Sequence, residues 1–73
     1  MTHEENQREY ERLKKEADET IAIMFDRDKT SFKKFFKYFF KLCRMVIAAD
    51  KFGRGDELVN HIETNMDAAV DAI

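Results

Sequence analysis

The chain has 73 residues, of which 44% are apolar and 38% charged, so it makes one small domain (residues 1–73) with too much apolar content for a disordered chain. No Pro, two Gly and one Cys exclude collagen-like and linker-like chains, most all-β folds and an internal disulfide framework. The net charge of −2 hides a segregated pattern, with −3 over residues 1–27, +5 over 28–53 and −4 over 54–73. The simplest reading of that pattern is a basic middle that faces the acidic ends inside one folded unit.

The first predicted element spans residues 3–25. Thr2 followed by Glu5 matches a capping box. Tyr10, Leu13, Ala17, Ile21 and Met24 then recur at steps of 3, 4, 4 and 3, a narrow helical stripe suited to a bundle seam. The segment from Asp26 to Ser31 is polar and holds the cap-forming residues Asp28, Thr30 and Ser31, so a break is expected there, with one bent helix as the alternative.

The second element spans 31–52. Its aromatic and β-branched residues also suit strands, but Lys33, Lys37, Lys41 and Arg44 step by 4, 4 and 3 and define a basic stripe on a helix, joined by Lys34 and Lys51. Apolar residues fill an arc of about 200° on the rest of the circumference, against roughly 100° for an ordinary surface helix. Such a helix needs cover on more than one side. Gly53 suits the left-handed position after its C-terminus and Asp56 suits the N-cap of a third helix, 56–72. That helix places Leu58, Val59, Ile62, Met66, Ala69, Val70 and Ile73 on one face and Glu63, Asp67 and Asp71 on the other.

The expected fold is therefore an all-α, three-helix small domain. Two stripes, one from each flanking helix, leave Phe40, Met45 and Phe52 at the edges of the covered arc, and a homo-oligomeric helical bundle, most simply a two-fold dimer, would bury them. The competing reading is a compact monomer with a few exposed apolar groups.

The sequence carries no sign of catalytic chemistry. It lacks phosphate-binding glycine loops and zinc-protease motifs. One Cys and two distant His, His3 and His61, do not make a metal-ligand set, so neither a metal nor a cofactor is expected. Cys43 reads as a buried structural thiol beside Phe39 and Val46. His61 reads as a solvated edge histidine within reach of Glu57 and Asn65. Glu63, Asp67 and Asp71 read as a solvated face, and Arg54-Gly55-Asp56, which spells an adhesion tripeptide, reads as a turn and cap. The chain is expected to be a non-enzyme.

Three functional readings follow. The first is a small protein-interaction module, a regulator or inhibitor that binds a larger protein or nucleic-acid machine, of the kind found among accessory proteins of phages and mobile elements. Its contact residues would be Phe40, Met45, Phe52, Glu63, Asp67 and Asp71. The second is binding of nucleic acid or an anionic nucleotide-like ligand through Lys33, Lys34, Lys37, Lys41 and Arg44, against which stands a pI near 5.6. The third is membrane-surface association through the Phe- and Lys-rich stretch 32–41, which loses to a core role for those Phe residues. The residues after Met1 are polar or charged through Glu9, and the longest apolar run, Met45–Ala49, is far below the roughly 20 residues of a membrane span. With a free Cys43, the expected location is the cytoplasm.

Overall fold

The computed structural model describes residues 1–26 and 28–72. Arg27, in the expected break, and Ile73, expected on the apolar face of the third helix, lie outside the described residues. Three helices, α1 (His3–Met24), α2 (Phe32–Asp50) and α3 (Gly55–Asp71), run up, down and up, and each packs on both others.

Thr2 caps α1 as expected, its hydroxyl accepting from the Glu5 N–H at 3.1 Å, but the Glu5 carboxylate returns to the Thr2 hydroxyl, from which it accepts at 3.1 Å, and not to the Thr2 backbone N–H of a full capping box. The expected break follows α1. Asp26 accepts from the Asp28 N–H at 3.0 Å, the Thr30 hydroxyl donates to the carbonyl of Ile23, and Ser31 caps α2 by accepting from the Lys34 N–H at 3.4 Å. These side chains give the freed backbone groups new partners.

The second connection is tighter. Gly53 has φ +79°, its N–H donates to the Asp50 carbonyl at 3.1 Å and the Arg54 N–H to the Ala49 carbonyl at 3.0 Å, which is a Schellman ending. α3 starts one residue before the expected boundary. Asp56 is in its first turn, where a carboxylate suits the helix dipole, and the N-cap position is held by Arg54 without a side-chain cap bond. Gly55 is closely packed: a Cβ there would lie 2.9 Å from the Asp50 carboxylate and 3.2 Å from its Cα.

All five residues of the α1 stripe are buried, against Leu42, Met45 and Ala49 of α2 and Leu58 and Ile62 of α3. Thr20 joins them, its hydroxyl satisfied by the Glu16 carbonyl at 2.7 Å. Met45 is 5% exposed, so it is a core residue and not surplus: it lies on the side of α2 that meets Leu13 of α1. Phe52 is half-buried against the same core, and its carbonyl accepts from the Asn6 amide at 2.9 Å. Cys43 is exposed rather than buried, because the core takes the adjacent Leu42 side of the helix.

The core is small. Leu58 is the one large side chain among the described residues with no appreciable exposure. The radius of gyration is 12.9 Å, above the roughly 11 Å of a compact chain of this length. No helix among the described residues is long and apolar enough to cross a membrane.

Both glycines are required, one by conformation and one by space. Gly53→Ala should lower the unfolding free energy by about 1 kcal/mol, and Gly55→Ala by about 1–3 kcal/mol through overpacking. Urea unfolding followed by circular dichroism measures both, and wild-type midpoints would contradict this account of the turn.

Candidate functional site

α2 divides into three lengthwise faces. Leu42, Met45 and Ala49, with half-buried Phe35 and Tyr38, turn to the core. Lys33, Lys34, Lys37, Lys41 and Arg44 form the exposed basic face. Between the basic face and α3 lies an outer apolar face of Phe32, Phe36, Phe39, Phe40, Cys43 and Ile47, all exposed, within an arc of about 100°. Phe32 is 81% exposed, and Phe40 and Ile47 are each 60% exposed.

The outer rings are ordered by one another. Phe32 and Phe36 meet edge to face at 5.0 Å, Phe36 meets Phe35 at 6.1 Å, and Phe35 meets Phe25 at 5.9 Å, so the exposed ladder is anchored to the partly buried one. On one side the face continues into a hollow where Phe36 and Phe40 stand among Lys33, Lys34, Lys37 and Arg44. On the other it continues into a groove between α2 and α3, where Phe39, Cys43 and Val46 meet Val59 and Met66, with Glu63 at the rim. Asp67 and Asp71 are exposed beyond it, and Val70, expected in the core, is 56% exposed. The expected contact residues therefore separate: Phe40 and Glu63 border one continuous surface, whereas Met45 and Phe52 face inward. The expected core role for the Phe residues of 32–41 holds in part for Phe35 and fails for Phe32, Phe36, Phe39 and Phe40, all exposed, because α3 reaches only the Phe39 and Cys43 edge of the outer face.

Between the basic middle and the acidic ends the described residues form one ion pair, Lys29 with Asp26, while Lys37, Lys41 and Arg44 share a hollow with Glu16 of α1 without pairing. Among the described residues, Arg12 bridges Glu9 and Glu16 at 2.9 and 3.0 Å, Lys29 meets Asp26 at 3.8 Å and Arg54 meets Glu57 at 2.6 Å, all within three or four residues. None of Lys33, Lys34, Lys37, Lys41 or Arg44 is in an ion pair among the described residues. The charge segregation persists on the surface.

Two polar clusters escaped sequence reasoning, one of them in part. Asp18 of α1 meets His61 of α3 at 2.6 Å and accepts from the Asn65 amide, which also lies 3.1 Å from the same imidazole nitrogen. Of the two expected neighbours of His61, Asn65 is met, and the further partner Asp18 lies 43 positions away. Arg54 lies over the Tyr10 ring at 3.9 Å and donates to Gln7 at 2.7 Å and Asn6 at 3.3 Å. It turns inward onto α1, so the adhesion tripeptide is not displayed as a free loop. The contacts of Asp18 with α3 and of Arg54 with α1 span 43 to 48 residues and leave no local signal, whereas the His61–Asn65 contact follows from its spacing of four. Both tie α3 to α1, on the side away from the outer face of α2. Among the described residues no group of three or more His, Cys, Asp or Glu is placed to hold a metal ion.

Comparison with protein families, with curated proteins and with solved structures gives no match to this chain.

Burial pushes the Tyr10 phenol above its ordinary value of 10.0, the Glu57 carboxylate adds to the rise, and Arg54 opposes it. The folded chain holds this proton more tightly than the unfolded chain. The resulting stability is full below pH 10 and is lost as pH rises through the folded value. Phenolate absorbance of a Tyr38→Phe variant, which leaves Tyr10 as the one tyrosine, should titrate with a midpoint above that of the unfolded chain. A midpoint at or below it would contradict the burial of Tyr10 in the core.

Proposed function

We propose that the protein is a small non-enzymatic interaction module, a regulator or inhibitor that acts by occupying a surface of a larger protein or nucleic-acid machine. The observation that carries this reading is the outer face of α2. Its exposed anchors recur at 32, 36, 40, 43 and 47, one helical turn apart, which is the spacing of helix-in-groove recognition. Interface cores favour aromatic residues, and rings already held edge to face lose little freedom on docking. The acidic flank at Glu63 and Asp67 gives a partner with a basic rim a fixed orientation and faster association. Self-association belongs to the same reading, as the assembly from which the charged flanks work.

A second reading has its own observation. Five basic side chains without ion-pair partners, with Phe36 and Phe40 among them, suit a single-stranded nucleic acid whose phosphates meet the cations and whose bases stack on the rings. The acidic α3 beside that face and the overall charge of −2 weigh against it. Fluorescence anisotropy with a labelled oligonucleotide decides it. Affinity should fall steeply with salt and vanish in a Lys37→Glu/Lys41→Glu variant, whereas no binding at low salt removes this reading.

For the main reading, a photo-crosslinking p-benzoylphenylalanine is placed at Phe40 or at Asp71 in the cells that make the protein, with Lys15 on the exposed side of α1 as control. The expected product from at least one of the two positions is a covalent adduct heavier than two copies of the 8.7 kDa chain, absent from the control. No adduct, or an adduct of two copies alone, overturns the regulator reading.

A further inference from the structure

Area, shape and charge on the outer face of α2 converge on one occupant. The accessible surface of the chain is 5408 Å². A folded monomer of 8.7 kDa exposes about 4,700 Å². The excess, roughly 700 Å², is close to the roughly 800 Å² that each partner contributes to a standard interface. The chain is elongated, 41 × 22 × 15 Å, and the exposed Phe32, Phe36, Phe40 and Ile47 contribute to that excess.

The shape of that surface suits another helix. The seam from Phe32 to Ile47 runs at steps of 4, 4, 3 and 4 through Phe36, Phe40 and Cys43. It is straight and about 22 Å long at the rise of an α-helix, and it extends along most of α2. Two helices that pack side by side bury seams of this kind.

The charges select both the partner and its direction. One bank of the seam is basic, with Lys33, Lys37 and Arg44. The opposite bank is α3, with Glu63 at the groove rim and Asp67 a turn further on. A second copy related by a two-fold axis parallel to α2 lays each basic bank over the partner's acidic bank. An axis perpendicular to α2 makes the helices antiparallel and lays basic over basic, which costs binding free energy. An anionic membrane attracts one bank and repels the other.

We infer that the outer face of α2 is a self-interface, closed by a second copy of this chain in a parallel two-fold dimer. The inference rests on the reading of that face as a docking surface and adds its occupant and direction. Cys43, exposed on the seam between Phe40 and Ile47, faces its own equivalent across the two-fold axis. The like residues of the two copies stack in register from Phe32 to Ile47, and the basic bank of each chain meets Glu63 and Asp67 of the other.

Light scattering during size-exclusion chromatography tests the occupant, and three sets of variants test the direction. Wild-type protein should give twice 8.7 kDa. A Phe36→Ser/Phe40→Ser variant should give a single copy with an unchanged circular dichroism spectrum. Lys37→Glu/Arg44→Glu should weaken the dimer by about tenfold or more, and adding Glu63→Lys/Asp67→Lys should restore it, because the swapped banks attract again. In a Cys43→Ser background, Phe36→Cys and Ile47→Cys should each form a disulfide with themselves under mild oxidation.

A dimer that Lys37→Glu/Arg44→Glu tightens, or that links position 36 only to position 47, overturns the parallel arrangement. A chain that stays at 8.7 kDa at every concentration overturns the self-interface. In that case a heavier adduct from Phe40 leaves the docking face itself standing, and flotation with phosphatidylserine vesicles assigns the face to lipid instead.

Discussion

A helix with apolar residues over about 200° of its circumference cannot be covered by two neighbours that each bring one narrow stripe. α2 is such a helix, and the rest of the structure is arranged around that shortfall. α1 and α3 pack on the side of α2 that carries Leu42, Met45 and Ala49, and there they bury a small continuous core. Burying a Phe side chain contributes about 1.5–3 kcal/mol, yet α2 leaves four of its five Phe residues exposed. A 73-residue monomer is marginal in stability because it buries only about 60% of its unfolded surface. The proposed association would take that aromatic face out of water.

The two connections decide which side of α2 the neighbours occupy. The polar stretch after α1 redirects the chain through side-chain bonds from Asp26, Thr30 and Ser31. The turn after α2 is fixed by the left-handed Gly53 and by Gly55, pressed against Asp50. Arg54, between them, turns back over Tyr10 and onto Gln7 and Asn6, so the α2–α3 turn is clamped to the first turns of α1. The Asp18, His61 and Asn65 cluster holds the same pair of helices further along. Both clamps join α1 to α3. They hold the two covering helices together on one side of α2 and leave the opposite side open.

Legibility in the sequence followed the sharpness of each pattern. The stripe of α1 is one narrow arc with one solution, and all five of its residues are buried. Thr2, Ser31 and Gly53 act locally and were readable from their own neighbours. In α2 the core face and the outer face are contiguous apolar arcs, and only the positions of α1 and α3 decide where one ends. For that reason Met45 and Phe40 looked alike in sequence, although one is core and the other is surface. Cys43 was misread on the same ground. The N-cap of α3 was misread because a carboxylate suits the first turn of a helix, where Asp56 lies, as well as its cap. The Asp18 partner of His61 lies 43 residues away, beyond any local rule.

The central claim is that α2 has two apolar faces with different tasks, one for folding and one for association. Alanine substitution at each apolar position of α2, with thermal stability of the dilute chain and solution mass read on the same samples, tests it most directly. The account predicts two separate groups. Leu42→Ala and Met45→Ala lower stability, by about 2–5 kcal/mol for side chains of this size in a core. Phe32→Ala, Phe36→Ala, Phe40→Ala and Ile47→Ala change the dilute chain by no more than about 0.5 kcal/mol and reduce association. If the outer-face substitutions destabilise the dilute chain as much as the core substitutions do, α2 has a single apolar task and the account is contradicted.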